Sequence, residues 1–137
     1  MSYIKASVSK IQNCESVHVV KFKTQEITFT MVSLELDEQI QVGTKVKLAV
    51  KSTHISIAKE FSGITSTSNQ LEVKVTDINN GKLLSSVTLG FLDTSLEAII
   101  TYEASKKMDL QIGDKVTALI KASDLAICEV LDGEQDD

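Results

Sequence analysis

The chain is written twice. "GTKVKLAVKSTHISIA" (Gly43–Ala58) lies over "GDKVTALIKASDLAIC" (Gly113–Cys128) at an offset of 70, with Gly43/Gly113, Lys45/Lys115, Val46/Val116, Lys51/Lys121 and Ile57/Ile127 identical. Upstream, "IKASVSKIQN" (Ile4–Asn13) lies over "LEVKVTDINN" (Leu71–Asn80) at an offset of 67, with Val8/Val75, Ile11/Ile78 and Asn13/Asn80 identical. A repeat near 70 residues divides the chain into two like modules and rules out a fold built around one large core. The offset grows by three, and the longer turn "GFLDTS" (Gly90–Ser95) against "KTQE" (Lys23–Glu26) accommodates the extra residues. The modules span residues 1–60 and 68–131, separated by a Ser/Thr-rich linker at 61–67 and followed by an acidic tail at 132–137, which we expect to be frayed.

Each half reads as strands. "YIKASVSKI" alternates, with Ile4, Ala6 and Val8 on one face, and "VHVVKFK" and "ITFTMVS" are β-branched and alternating. A polar piece follows, "LELDEQIQVG" in the first half and "YEASKKMDLQIG" in the second. The second version predicts one or two helical turns ended by Gly113. Two further strands close each half, "KVKLAVKS" and "HISIAK" in the first. The expected fold is all-β: two tandem OB-like five-stranded barrels, each with a short helix between strands 3 and 4. A module of about 60 residues buries only about 60% of its surface, so the two should support each other and oligomerise.

Composition narrows the functional classes. The chain of 137 residues has net charge −5, four units of which come from Asp132, Glu134, Asp136 and Asp137, leaving −1 for the rest. It contains no arginine and few aromatics, so neither the basic face nor the stacking platform of a nucleic-acid binder is present. No apolar run could span a bilayer, and the N-terminus has no signal-peptide core, so a cytoplasmic protein is expected. Cys14 and Cys128 fit no metal-ligand spacing and read as two reduced thiols, and His18 and His54 are isolated. No nucleophile–base or paired-carboxylate arrangement stands out, so no enzymatic activity is expected.

The second half resembles the Mop family, the molybdate- and tungstate-binding modules also called transport-associated OB (TOBE) domains. The residues that carry the resemblance are "SNQLEVKVTDINNG" (Ser68–Gly81), "LEAIIT" (Leu96–Thr101), "LQIGDKV" (Leu110–Val116) and "IKASDLAI" (Ile120–Ile127). The first half matches mainly through its G-x-K-V and V-K-S phrases, so the chain is similar to the di-domain members of the family. The resemblance implies cytoplasmic binding of molybdate or tungstate for storage and homeostasis. It also implies a homotrimer of di-domain chains, with anions held where modules meet. The alternative is a molybdate-sensing module that docks on a transporter ATPase or a transcription factor.

By family motif the oxyanion-binding candidates in the second copy are Ser66, Ser68, Asn69, Thr101, Lys121, Ala122 and Ser123. In the first copy they are Lys51, Ser52 and Thr53, with Ser2 near the opening phrase and Ser33 near the mid-module hydroxyl. The chemistry is apt on its own terms: a tetrahedral dianion offers only acceptors, so its site needs hydroxyls, backbone N–H groups and a cation. A lysine at a strand edge is otherwise an ordinary solvated charge. Three departures stand out. Ser68 takes the family's arginine position, Ala104 takes the mid-module serine with Ser105 one place late, and Val32 aligns with Thr101. Arginine is a rigid fork and lysine a mobile point charge, so weaker binding or fewer filled sites is expected than in arginine-bearing relatives.

Overall fold

The structure, a computed structural model, describes residues 1–131. The acidic tail at 132–137 lies outside the described residues. The described residues form ten strands: β1 (Ser2–Cys14), β2 (Val17–Thr24), β3 (Ile27–Ser33), β4 (Lys45–Val50), β5 (Ser56–Ala58), β6 (Asn69–Asn80), β7 (Leu84–Phe91), β8 (Thr94–Thr101), β9 (Lys115–Ile120) and β10 (Ala126–Leu131). One short helix, α1 (Tyr102–Lys107), follows β8, and single 3-10 turns at Ser52–His54 and Ala122–Asp124 precede β5 and β10. The strands make two five-stranded sheets, ordered β10-β4-β1-β2-β3 and β5-β9-β6-β7-β8.

The fifth strand of each sheet comes from the other half of the sequence. β10 pairs antiparallel with β4, Ala126 opposite Ala49 and Leu131 opposite Lys45. β5 pairs antiparallel with β9, Ser56 opposite Leu119. The compact units follow the sheets: one holds Met1–Ser2 and Lys51–Ile120, the other Tyr3–Val50 and the described residues from Lys121 on. Apart from the one at Ser2/Tyr3, the boundaries therefore fall at Val50/Lys51 and at Ile120/Lys121, at each copy of the repeated lysine.

Alternation builds both cores. In the Tyr3–Val50 unit, Ile4, Ala6 and Val8 point inward from β1 and meet Val20, Phe22, Phe29, Met31, Val46 and Leu48. In the Lys51–Ile120 unit the same places hold Leu71, Val73, Val75, Val87, Leu89, Leu96, Ala98, Val116 and Ala118. Each first strand bulges at the matching point, between Val8 and Lys10 and between Val75 and Asp77. The G-x-K-V turn is also made twice over. Gly43 (φ +97°) donates its N–H to Val8 O at 2.8 Å, and Gly113 (φ +99°) donates to Val75 O at 2.7 Å. Only glycine takes such a φ at little cost. Thr44 Oγ1 accepts from the Gln41 N–H at 3.0 Å, and Asp114 Oδ2 accepts from the Gln111 N–H at 2.9 Å.

The halves diverge between their third and fourth strands. Helix α1 stands between β8 and β9, but no helix joins β3 to β4, so the expectation of one in each half fails in the first. Thr101 Oγ1 caps α1 by accepting from the Ala104 N–H at 3.1 Å. In the first half the hydroxyl and carboxyl groups are turned to local bonds instead. Ser33 Oγ donates to Glu35 O (2.5 Å) and accepts from the Glu35 N–H (3.2 Å), and Asp37 Oδ1 accepts from the Gln39 N–H (3.0 Å). Such bonds compete with helix formation.

Helix α1 ends earlier than Gly113. Asp109 takes the left-handed conformation (φ +50°), its N–H donating to Lys106 O and that of Leu110 to Ser105 O, a Schellman ending with aspartate in the glycine position. The three extra residues also lie here. Strand pairing keeps the offset at 67 through the third strands, since Phe22 faces Phe29 as Leu89 faces Leu96. The β2–β3 and β7–β8 turns are thus equal in length, closed by Thr24–Ile27 and Phe91–Thr94.

Candidate functional site

The two 3-10 turns are the sharpest shared feature. Each begins after a lysine in extended conformation, Lys51 (φ −72°, ψ 140°) or Lys121 (φ −66°, ψ 147°). A buried aliphatic precedes each lysine, Val50 or Ile120, and another follows each turn, Ile55 or Leu125. The turns close through the His54 N–H to Lys51 O (2.9 Å) and the Asp124 N–H to Lys121 O (3.0 Å). The N–H groups of the first two turn residues precede these bonds and take no part in them. Lys51 and Lys121 are exposed, as are Thr53 and Ser123, while Ala122 is half-buried.

The turns differ at their first residue. Ser52 is buried, and its Oγ donates to Glu97 Oε1 at 3.1 Å and accepts from the Met1 α-ammonium at 3.2 Å. Ser2, also buried, accepts from the Glu97 N–H at 2.9 Å. Ser86 Oγ donates to Glu97 Oε2 at 2.6 Å. The hydrogen bond from Ser86, then that from Ser52, holds the Glu97 carboxyl below the ordinary glutamate range against the opposing effect of burial, with a further small pull from the N-terminal charge. A serine has one O–H to give. That of Ser52 is given to a carboxylate, so its side chain is not available to an oxyanion in this arrangement.

Register places Thr30 where Glu97 stands and Ala122 where Ser52 stands, and each 3-10 turn packs on its own unit's third strand. Thr30 Oγ1 instead accepts from Lys21 Nζ at 3.0 Å. The Ser–Glu pair of one unit is thus replaced together by Ala and Thr in the other. What the turns share is a lysine and an exposed hydroxyl two residues on.

The remaining candidates fall as follows. Ser66 and Ser68 are exposed in the segment leading to β6, and Asn69 is buried at the first position of that strand, opposite Ile120. Thr101 is occupied as the helix cap. Pairing aligns it with Leu34 rather than Val32, because Val17 and Leu84 begin matching strands. Ser33 lines a cleft of about 330 Å³ that also contains Glu35, Asp37, Cys128 and Glu129. Three carboxylates around a hydroxyl disfavour a dianion there. Of the candidates, Ser2 and Ser52 are brought together, through Glu97. Glu97 has no mark in the sequence, because its partners lie far from it along the chain.

A second polar cluster supports the turn before β9. Lys59 Nζ donates to Met108 O (3.1 Å) and Asp109 O (2.8 Å) and pairs with Asp114 Oδ2 at 3.2 Å. The Gln111 N–H, then Lys59, keeps the Asp114 carboxyl below the usual aspartate range. Behind α1, Asn80 Oδ1 accepts from buried Ser85 (2.6 Å) and from buried Ser105 (3.4 Å). Ser105, one place past the family's serine, is therefore a structural residue.

The strands thus form two five-stranded sheets, each completed by a strand from the other half of the sequence and each associated with a lysine-led turn. Residues 65–127 match the family model of the TOBE domain. Relatives by sequence are the molybdenum import ATP-binding proteins ModC of Brucella abortus and Brucella suis, each 31% identical over 114 residues, 82% of this chain. The chain spans about a third (32%) of their length. Among solved structures, the cytoplasmic molybdate-binding protein ModG, with molybdate bound, matches at TM-score 0.86 with 26% identity, covering 91% of this chain and 93% of that one. No helix among the described residues is long and apolar enough to cross a membrane.

Proposed function

We propose that the protein binds molybdate or tungstate in the cytoplasm, for storage and homeostasis of the oxyanion. The observation that carries this reading is the likeness to a molybdate-bound protein over nine-tenths of both chains. Each unit is taken to be an OB-like barrel, and three chains to assemble as a homotrimer that holds anions where modules of neighbouring chains meet. Lys51 and Lys121 supply the positive charge, Thr53 and Ser123 supply hydroxyls, and the first N–H groups of each 3-10 turn add donors. Ser66, Ser68 and Asn69 are proposed as further donors at the opening of β6. Ser2, Ser33, Ser52 and Thr101 are already bonded within the protein, and for them the proposal is that they hold the site's walls.

Calorimetric titration with molybdate, tungstate and sulfate, together with the mass in solution, tests the reading. Saturable binding of molybdate or tungstate by a trimer supports it, and no heat or thermal stabilisation up to about 1 mM, a dissociation constant worth only about 4 kcal/mol, rejects it. Lys121→Ala should weaken binding at least tenfold, about 1.4 kcal/mol. Unchanged affinity removes Lys121 from the site.

One observation favours the sensing alternative, in which the protein docks on a transporter ATPase. The sequence relatives are molybdenum import ATP-binding proteins, matched over most of this chain but only a third of theirs. Molybdate-dependent co-purification with such an ATPase separates sensing from storage.

A further inference from the structure

Glu97 puts an anion where the proposed function calls for donors. Leu96 and Ala98 are buried, so Glu97 emerges on the opposite face of β8, and the Ser52–His54 turn packs against that strand. Both carboxylate oxygens are engaged. Ser52 Oγ donates to Oε1 at 3.1 Å, and Ser86 Oγ donates to Oε2 at 2.6 Å. The Met1 ammonium donates to Ser52 Oγ at 3.2 Å, and the Glu97 N–H donates to Ser2 Oγ at 2.9 Å. All of these groups belong to the unit of Met1–Ser2 and Lys51–Ile120. Hydroxyl donors with an ammonium beside them are what a tetrahedral oxyanion recruits, because it offers only acceptors. The chain fills them with a carboxylate of its own, and these hydrogen bonds favour its charged form.

The fold does not demand that carboxylate. The Tyr3–Val50 unit builds the matching strand with Thr30 in place of Glu97 and Val19 in place of Ser86, and the matching turn has Ala122 in place of Ser52. Lys21 Nζ donates to Thr30 Oγ1 at 3.0 Å, so a cation stands beside the position that holds an anion in the other unit. At the third turn residue the acid lies the other way, with Asp124 against His54. The units therefore differ in where an anion is placed relative to the lysine-led turn. The carboxylate that meets the first residue of the turn is particular to the Lys51 copy.

We propose that Glu97 is an internal counter-anion of the Lys51 turn: it occupies the hydroxyls of Ser52 and Ser86 and repels a dianion, so this turn takes molybdate or tungstate more weakly than its lysine and Thr53 allow. The inference rests on the oxyanion reading and names the residue that limits it. Ser52 changes role with Glu97. While the carboxylate is present, the single O–H of Ser52 is committed to it. Once the carboxylate is removed, that O–H is a donor next to Lys51 and Thr53 in the chain. Glu97 is exposed, so its repulsion acts through water and weakens with salt.

The test is calorimetric titration of the full chain with molybdate, at about 50 mM and about 500 mM salt. Glu97→Ala should strengthen binding at the Lys51 turn at least about fivefold at low salt, and less at high salt. Lys51→Ala in the same chain should abolish the gain, and the gain should survive Lys121→Ala. Ser52→Ala should cost at least about threefold more affinity in the Glu97→Ala chain than in the native chain, a coupling that a merely structural role for Glu97 does not produce. Glu72→Gln removes the same charge on β6, opposite Thr117, and should gain less than about twofold. If Glu97→Ala folds poorly, Glu97→Gln decides: a gain of about twofold or more that Lys51→Ala abolishes supports the inference, and no gain overturns it. A native chain that binds molybdate with no gain in the Glu97 variants overturns the inference and leaves the oxyanion reading standing. An equal gain from Glu72→Gln reduces the effect to net charge and also overturns it. Absence of binding in the native chain and in both Glu97 variants overturns the two together, and binding by the Glu97 variants alone supports both.

Discussion

Replacing Ser52 by Ala makes the first 3-10 turn resemble the second, which has Ala122 at the same place. The change removes the bond to Glu97 Oε1 (3.1 Å) and the acceptor for the Met1 ammonium (3.2 Å). Hydrogen bonds to charged groups contribute about 1.5–3 kcal/mol when desolvated. Glu97 is an exposed residue that keeps its bond from Ser86, so water replaces much of what is lost. The expected cost is therefore at the low end, about 1–1.5 kcal/mol at neutral pH. Glu97→Gln alone should cost less, about 0.5–1 kcal/mol, because an amide oxygen still accepts. Because the amide still accepts from Ser52, the double-mutant cycle should report only the charge-dependent part of the pair, a coupling of about 0.5 kcal/mol.

The coupling also carries a pH signature. The Glu97 carboxyl titrates below its ordinary value in the folded chain, held there first by Ser86 and then by Ser52. A depressed carboxyl stabilises the fold fully above its unfolded value, about pH 4.3, and the contribution is lost as pH falls through the lower folded value. Urea unfolding of the four chains of the cycle, followed by two probes to check that the transition is single, measures the coupling at pH 7 and at the acid end. A coupling under about 0.3 kcal/mol at pH 7, within the scatter of independent sites, would refute the reasoning. So would a coupling that does not change on acidification. Molybdate affinity should move little in Ser52→Ala, because the hydroxyl is already given to Glu97.

Gly43→Ala and Gly113→Ala should each destabilise by about 1–2 kcal/mol, the backbone cost of a left-handed conformation. Nothing lies within 4 Å of a Cβ added at either position. Urea midpoints of the two variants should fall together, and an unshifted midpoint would show that the turn relaxes. Residues 1–60 expressed alone lack β10 and leave β5 without β9, so they should show no cooperative thermal transition until residues 61–137 are added. A cooperative monomer from residues 1–60 would contradict the exchanged topology.

The elements legible in the sequence were those written in local pattern. Ile4, Ala6 and Val8 alternate with outward residues, and the structure buries all three. Gly43 and Gly113 mark a turn that only their φ permits, and they occur in matching positions. What local pattern could not carry was partner choice. The strand containing Ser56–Ala58 has the same alternation whichever sheet receives it, so nothing in it announces β9 rather than a strand of its own half. The short helix was lost from the first half for a local reason of another kind. Ser33 and Asp37 can cap a helix or bond their own neighbours, and composition does not say which. The Ser52–Glu97 pair was hidden because 45 residues separate its members along the chain.

The exchanged strands alter what the repeated lysine phrase signifies. In each copy a buried aliphatic, Val50 or Ile120, ends a strand of one unit, and a second, Ile55 or Leu125, anchors the start of the other. Between them the chain needs an extended residue and a tight turn, and an exposed lysine at Lys51 or Lys121 meets that need without any ligand. Repetition of the phrase therefore follows from the crossover alone and is not by itself a mark of anion binding. Each turn does, however, pack on its own unit's third strand, Ser52–His54 on β8 and Ala122–Asp124 on β3. On the proposed function, turn N–H groups held this way would lose little further freedom on meeting an oxyanion, which is how preorganisation raises affinity. The proposal therefore assigns stability and binding to different residues: Ile55 and Leu125 are buried beside the turns, while the exposed Lys51 and Lys121 are the positions whose replacement tests the anion site at little structural cost.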